Sequence, residues 1–143
     1  MNCWKIGAAK SSASSKMVSA VLDSSAVLAV LNSEAGADLV VAVLKDALVS
    51  TVNYAEIVAK LVERGSSDVE AQAALQTLVF TTVDFDIPLA QRTGAMRLAT
   101  IKRGLSLGDR ACLSLAEREG VPAITADRGW VGAISGVQVR LIR

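Results

Sequence analysis

The stretch Gly104–Trp130, GLSLGDRACLSLAEREGVPAITADRGW, constrains the fold of this chain more than any other. It predicts a helix that begins after Ser106 and ends before the Gly-Val-Pro segment, followed by a short buried strand at 123–125. Asp109 lies three residues beyond the predicted N-cap, and Asp127 lies just past the strand. Ligands of open α/β sheets bind outside the carboxyl ends of the strands, so this unit predicts a polar site at the end of its strand.

The same alternation of strand and helix runs through the rest of the chain. Strands that alternate with helices favour a parallel sheet, and a chain with 52% apolar but only 3% aromatic residues suits the interior of such a sheet. We therefore expect an α/β fold, a three-layer α/β/α sandwich around a central parallel sheet of about five strands. The predicted strands cover 18–22, 47–51, 80–85, 123–125 and 137–142, and the predicted helices include 26–31, 36–45, one beginning at Asn53, 67–78 and 87–103.

Residues 1–16 differ from the remainder in composition. They contain three lysines and no acidic residue, are rich in serine and alanine, and have no hydrophobic periodicity. They also lack the apolar core of a signal peptide. We expect them to be a flexible extension, either vector-derived or added by an upstream start, and residues 17–143 to form one domain.

The absence of histidine narrows the possible chemistry. It excludes His-based catalytic triads and His-containing zinc sites, and the two cysteines, Cys3 and Cys112, are too few for a zinc site. The remaining reactive groups are carboxylates, hydroxyls, lysine and arginine, and carboxylates suit hard cations such as Mg²⁺ and Mn²⁺. The low cysteine count favours a reducing cytoplasm, and no apolar run approaches the ~20 residues of a membrane span.

The net charge of +1 conceals an asymmetry between two parts of the chain. Met17–Gln91 contains three basic and ten acidic residues, a net charge of −7, whereas Arg92–Arg143 contains nine basic and four acidic residues, a net charge of +5. The first part could supply much of a metal site while the second faces a polyanion. Ordinary solvated surface charge explains the distribution equally well, and both interpretations stay open.

Two acids each follow a predicted strand, and two more each lie in the first turn of a predicted helix: Asp23, Asp127, Glu56 and Asp109. A parallel sheet brings all four to one edge, where crowded carboxylates repel one another unless a cation lies among them. Each also has a plain structural explanation. Asp23 and Asp109 are suited to helix capping, and Glu56 could complete a capping box with Asn53 and pair with Lys60.

Taken together, these residues give the sequence a resemblance to the PIN domain family, most closely to its VapC-type ribonuclease toxins. The resemblance rests on four blocks spread over residues 17–143: LDSSA, NYAEI, LSLGDRACLSLA and TADRGW. In that family four acids hold one or two Mg²⁺ or Mn²⁺ ions. The resemblance therefore implies metal-binding and catalytic roles for Asp23, Glu56, Asp109 and Asp127, with supporting hydroxyls at Ser24 and Thr125.

The resemblance also implies a function and partners. Residues 17–143 would be a PIN-like nuclease domain that cleaves RNA endonucleolytically, leaving a 5′-phosphate and a 3′-hydroxyl. We expect a homodimer and a cognate antitoxin that holds it inactive. The alternative is a non-catalytic PIN-like module that binds RNA or protein, and the presence of all four acids favours the enzyme. The candidate contacts to RNA phosphates are Arg92, Arg97, Arg103, Arg110 and Arg128.

Overall fold

The computed structural model describes residues 17–143, and five short strands within them form one parallel sheet. The predicted extension at 1–16 lies outside the described residues. The order of the strands across the sheet is β3-β2-β1-β4-β5. Their bounds are β1 Ala20–Leu22, β2 Ala47–Ser50, β3 Thr81–Val83, β4 Ala123–Thr125 and β5 Val139–Leu141.

Seven α-helices connect the strands within the described residues. None of them has the length and apolarity that a membrane crossing requires. Short 3-10 turns at Leu44–Asp46, Ile101–Arg103 and Arg128–Trp130 complete the connections. The α-helices are α1 Ser24–Leu31, α2 Ala37–Val41, α3 Thr51–Glu63, α4 Asp68–Gln76, α5 Ile87–Ala95, α6 Arg97–Thr100 and α7 Leu107–Glu119.

The central strand β1 separates two hydrophobic cores. Successive side chains of a strand point to opposite faces of the sheet. Ala20 and Leu22 accordingly pack with apolar residues of α1, α3 and α4, whereas Val21 packs with those of α5 and α7. The helices thus cover both faces of the sheet, and the predicted three-layer α/β/α sandwich with five parallel strands is confirmed.

The order of the strands reverses beside β1, and this positions the candidate site. From β1 the chain proceeds to β2 and β3 on one side, and β4 and β5 lie on the other side. Such a reversal opens a crevice at the carboxyl ends of the two strands that flank it. Here those strands are β1 and β4, which end at Leu22 and Thr125, immediately before Asp23 and shortly before Asp127.

Three predicted helices differ from the observed ones. The region predicted as one helix from 87 to 103 is divided into α5, α6 and a 3-10 turn, because Gly94 weakens the helix and the Thr100 hydroxyl bonds the Met96 carbonyl oxygen. The region 36–45 yields only α2 and a 3-10 turn. Helix α3 begins before Asn53, since the Ser50 hydroxyl accepts a hydrogen bond from the amide of Val52 and caps the helix there.

Candidate metal centre

The four predicted acids line one cavity at the carboxyl edge of the sheet. The cavity has a volume of about 320 Å³ and is lined by residues at the ends of β1 and β4, along α3 from Glu56 to its C-cap Arg64, and in the first turn of α7. A larger cavity of about 520 Å³ lies at the other end of the sheet, where β2 and β3 begin, and none of the four acids lines it. The predicted convergence of the acids is therefore observed, whereas their role as metal ligands stays a prediction.

Asp23 is the most buried of the four acids and is held by three donors. Its Oδ1 accepts hydrogen bonds from the Ala26 amide at 2.9 Å and the Ser25 hydroxyl at 2.7 Å, and its Oδ2 accepts one from the Thr125 hydroxyl at 2.6 Å. The bond from Ala26 makes Asp23 the N-cap of α1. Burial nevertheless raises the pKa of Asp23 to about 6, against the effect of these hydrogen bonds, and the charge of Asp109 contributes.

Glu56 is oriented by residues of two other helical turns rather than by Lys60. Its Oε1 accepts hydrogen bonds from the Ser24 hydroxyl at 2.6 Å and from Asn53 Nδ2 at 2.9 Å. The prediction that Asn53 caps a helix and that Glu56 pairs with Lys60 is therefore wrong. Helix α3 begins earlier, which places Asn53 inside its first turn, and Lys60 forms no ion pair within residues 17–143.

Asn53 joins the starts of α3 and α7. Its side chain is buried, and Nδ2 donates both to Glu56 and to the Gly108 carbonyl oxygen, the latter at 3.1 Å. Two acceptors on one side fix which end of the amide is the nitrogen. A Cβ at position 108 would overlap the Glu56 carboxylate, so glycine at 108 permits this close approach of the two helices.

Asp109 both caps the start of α7 and lines the cavity. Its Oδ2 accepts a hydrogen bond from the Ser106 amide at 2.8 Å, and its own amide donates to the Ser106 hydroxyl at 3.2 Å, so the predicted capping arrangement is confirmed. Partial burial nevertheless raises the pKa of Asp109, and the charges of Glu56 and Asp127 raise it further. Asp109 therefore caps α7, but it differs from an exposed capping acid because its carboxylate is partly buried and close to other carboxylates.

Asp127 is the exposed member of the group. Its Oδ1 accepts a hydrogen bond from the Gly129 amide at 2.8 Å, and its own amide donates to the Thr125 hydroxyl at 3.0 Å. Ser25 was not predicted, yet its hydroxyl accepts from the Ala126 amide at 2.9 Å while donating to Asp23. Ser25 therefore ties the loop after β1 to the loop after β4, as Thr125 does.

The donor chemistry of the cavity fits a hard divalent cation. All four groups are carboxylates, and each has one oxygen that accepts from no amide N–H of the described residues. The desolvation and mutual repulsion that raise the pKa values of Asp23 and Asp109 are effects that a bound cation would offset. Within residues 17–143 no three such groups are already gathered closely enough to hold an ion.

The nearby thiol of Cys112 does not add a sulfur ligand to this set. Cys112 is fully buried on the inner face of α7. Burial, with contributions from the charges of Asp23, Asp109 and Glu56, raises the pKa of the thiol well above its usual range. The thiol therefore stays protonated, and thiolate is the form that binds metals.

None of the five predicted arginines lines the cavity. Arg110 is buried and donates to the Thr93 carbonyl oxygen at 3.0 Å, so it is not available at the surface. Arg92 forms a two-point ion pair with Glu117 at 2.6 and 2.8 Å. Arg103 is exposed, and its Nη1 donates to the carbonyl oxygens of Gly129 and Val131, near the Asp127 loop, while Arg97 and Arg128 are also exposed.

The cations that do line the cavity are Lys60, Arg64 and Arg143, which the sequence interpretation did not select. Lys60 lies on α3, four residues after Glu56, and Arg64 is the C-cap of α3, eight residues after Glu56. That spacing places side chains on one face of a helix and was the signal available in the sequence. By itself, the spacing of Glu56 and Lys60 predicts only an ion pair.

Comparison with known proteins gives one family and several structural relatives. The family model of the PIN domain matches residues 20–133. No curated protein sequence matches this chain at a significant level.

Three solved structures with the same fold are similar to this chain over most of its length. DNA-bound VapBC from Salmonella typhimurium gives a TM-score of 0.71 at 16% identity, covering 89% of this chain and 100% of the other. A toxin–antitoxin complex from Klebsiella pneumoniae gives 0.69 at 20% identity, covering 87% and 98%. VapBC-5 from Mycobacterium tuberculosis gives 0.60 at 20% identity, covering 88% and 98%. At these identities the likeness establishes the fold.

Proposed function

This chain belongs to the PIN domain family, and from that premise we propose that it is a divalent-metal-dependent endoribonuclease, the toxin of a toxin–antitoxin pair. The observation that carries the proposal is the cavity lined by Asp23, Glu56, Asp109 and Asp127. Two of these acids have raised pKa values because they are desolvated and face other carboxylates. A protein gains no stability from such crowding by itself, so a cation-dependent role is the simplest reason for it.

The proposed roles follow from how firmly each acid is held. Asp23 is fixed by three donors and Glu56 by two, so these two define the position of the cation, which we propose is Mg²⁺ or Mn²⁺. Asp109 and Asp127 each accept one backbone hydrogen bond and complete the set. A cation held there would supply the charge that activates a water molecule and stabilises the phosphate during in-line displacement. Cleavage with a 5′-phosphate and a 3′-hydroxyl on the products is part of the proposal.

The proposed partner is a cognate antitoxin, and the proposed assembly is a homodimer in the cytoplasm. Support comes from the likeness in fold to the proteins of VapBC and toxin–antitoxin complexes, which extends over at least 87% of this chain in the three structures above. The likeness covers nearly all of each of those chains as well.

The second candidate is a PIN-like module that binds RNA or protein without cutting. Two observations favour it: Asp23 and Asp109 both have capping bonds that explain their presence structurally, and the acids of the described residues are not gathered around a ready ion position. The crowding of charge favours the enzyme, because capping requires neither a shared cavity nor four acids.

Incubation with total cellular RNA, with and without Mg²⁺ or Mn²⁺, followed by sequencing of new 5′-phosphorylated ends, tests the proposal. Asp127→Asn removes a charge at an exposed position, and Glu70→Gln is the matched control at an exposed acid of α4, outside the cavity. We expect metal-dependent ends from the wild type and from Glu70→Gln, and none from Asp127→Asn. Absence of metal-dependent ends with the wild type, or equal cleavage by Asp127→Asn, would contradict the proposed enzyme.

A further inference from the structure

We propose that Lys60 and Arg64 bind backbone phosphates of the RNA that enters the four-acid cavity, and that they act as positioning residues for its cleavage. The inference rests on the proposed function and adds which residues receive the substrate. It also moves the RNA contacts from the arginine-rich second part of the chain to helix α3 in the acidic first part.

The geometry of α3 leads from the acids to the cations. Glu56, Lys60 and Arg64 are spaced by four residues, so they lie on one face of α3, one turn apart. All three line the same cavity. A strand of RNA with one phosphate at the acids would therefore meet one cation after about one helical turn and another after about two.

Both side chains are free to take a ligand. Lys60 and Arg64 are exposed, and neither side chain forms an ion pair or a hydrogen bond within residues 17–143. The third cation of the cavity, Arg143, differs because it pairs with Glu34 at 3.1 Å and donates to the Ala35 carbonyl oxygen at 2.8 Å. The expected partner of Lys60, the Glu56 carboxylate, is bonded by Ser24 and Asn53 instead.

The cavity contains more acidic than basic side chains, so a polyanion such as RNA needs cations at its entrance in order to bind there. Three basic side chains line the cavity together with five acids: Asp23, Glu34, Glu56, Asp109 and Asp127. Without cations at the entrance, these acids would repel an RNA phosphate over several ångströms. Met17–Gln91 contains only three basic residues, and two of them stand at this cavity.

A purely structural role predicts a different result. Cations near the C-terminal end of a helix interact favourably with its dipole, and Lys60 lies in the last turns of α3 with Arg64 as its C-cap. That role would affect thermal stability but not the dependence of RNA binding on salt. Neutralising a phosphate contact, in contrast, lowers the slope of log K against log salt by about 0.7 for single-stranded nucleic acid.

The test measures binding and cleavage of a short 5′-labelled single-stranded RNA by Lys60→Gln, Arg64→Gln and the double variant. Controls are Lys45→Gln and Arg140→Gln, which remove exposed cations that lie outside the four-acid cavity. Binding is titrated in EDTA over a series of KCl concentrations, so that no turnover occurs, and KM and kcat are measured in Mn²⁺. We expect the salt slope to fall by about 0.7 for each substitution and by about 1.4 for the double variant, with a raised KM and a kcat changed less than about twofold.

The outcomes separate this inference from the proposed function. A wild type that cleaves RNA while the variants keep its salt slope and KM overturns the inference alone. A wild type that binds RNA but never cleaves it in Mn²⁺ overturns the proposed function, and the salt slopes still decide whether these two residues contact phosphates. If the wild type neither binds nor cleaves RNA, both fail.

Discussion

Helices α4 and α7 begin with the same kind of capping box, yet the pKa values of the two capping acids shift in opposite directions. At α4 the Ser67 amide donates to Glu70 at 2.9 Å, and the Glu70 amide donates to the Ser67 hydroxyl at 3.1 Å. At α7 the corresponding bonds between Ser106 and Asp109 measure 2.8 and 3.2 Å. These bonds lower the pKa of Glu70, whereas the pKa of Asp109 is raised.

The difference arises from what surrounds each box rather than from the box itself. Glu70 is exposed to solvent, so its hydrogen bonds decide the direction of its pKa shift. Burial outweighs the same bonds at Asp109, and the charges of Glu56 and Asp127 act in the same direction as burial. A local pattern can therefore be structural at one helix and part of a site at another, and only the tertiary neighbours distinguish the two.

The largest expected effect is a change with pH in the stability of the wild type relative to Asp23→Asn, measured in EDTA. Asp23, which shares the cavity with Asp109, has a pKa of about 6 against a reference of 3.8, so the folded protein binds its proton more tightly than the unfolded chain. Its contribution to stability is therefore present below pH 4 and lost as the pH rises through 6, a change of roughly 3 kcal/mol. Chemical denaturation of the wild type and Asp23→Asn at pH 4 to 7 measures it.

The Glu70→Gln variant in α4 is expected to show the opposite pH dependence of stability. The lowered pKa of Glu70 contributes stability that is present above its reference of 4.5 and lost as the pH falls. As the pH rises from 4 to 7, we expect Asp23→Asn to become more stable relative to the wild type. Glu70→Gln should become more stable relative to the wild type in the opposite direction, as the pH falls below 4.5. A stability difference between Asp23→Asn and the wild type that does not vary with pH would contradict the desolvated state of the cavity acids.

A somewhat smaller effect is expected from the residue before each capping acid. Val69 is exposed in α4, but the corresponding Gly108 in α7 lies against the Glu56 carboxylate, which Ser24 and Asn53 hold in place. Gly108→Ala should displace that carboxylate and reduce RNA cleavage about 100-fold, the usual result of misplacing a reacting group by about 1 Å. Val69→Ala should cleave as the wild type does, and equal rates for the two variants would exclude a tight α3–α7 junction at the site.

The smallest expected effect is on stability when the acid of each capping box is neutralised. The two variants should differ in the sign of that change. In EDTA near neutral pH, Asp109→Asn should leave the protein as stable as the wild type or stabilise it by less than about 1 kcal/mol, because partial exposure screens the repulsion that is relieved. Glu70→Gln should destabilise it, since the favourable charge at the helix start is lost. Thermal unfolding of both variants decides this, and destabilisation of both would make Asp109 an ordinary cap.

The sequence predicted best the elements whose ends are marked locally. The start of α7 at Ser106, its end before Gly120 and the strand β4 at 123–125 all agree with the structure. Ser67 and Pro88 likewise marked the starts of α4 and α5. Side-chain caps and glycine or proline residues act within a few residues, so a single sequence contains the information that they need.

The errors arose where contacts between distant segments decide the structure. Asn53 resembled an N-cap, but it is buried inside α3 because the carbonyl oxygen of Gly108 and the carboxylate of Glu56 both accept from it. Arg110 resembled a surface cation, but it is buried against α5. The edge on which the acids meet followed from parallel topology. The cations beside them follow from the sequence only once Glu56 is known to face the cavity, because Lys60 and Arg64 lie four and eight residues after it.

The central claim is that Asp109 belongs to a metal centre, and the Mn²⁺ dependence of thermal unfolding tests it most directly. A ligand that binds only the folded state stabilises it by about 2.7 kcal/mol at 100 times its Kd. The wild type and Glu70→Gln should therefore show the same rise in unfolding temperature with Mn²⁺, and Asp109→Asn should show a much smaller one. An equal rise in Asp109→Asn and the wild type, or no rise in the wild type, would contradict the claim.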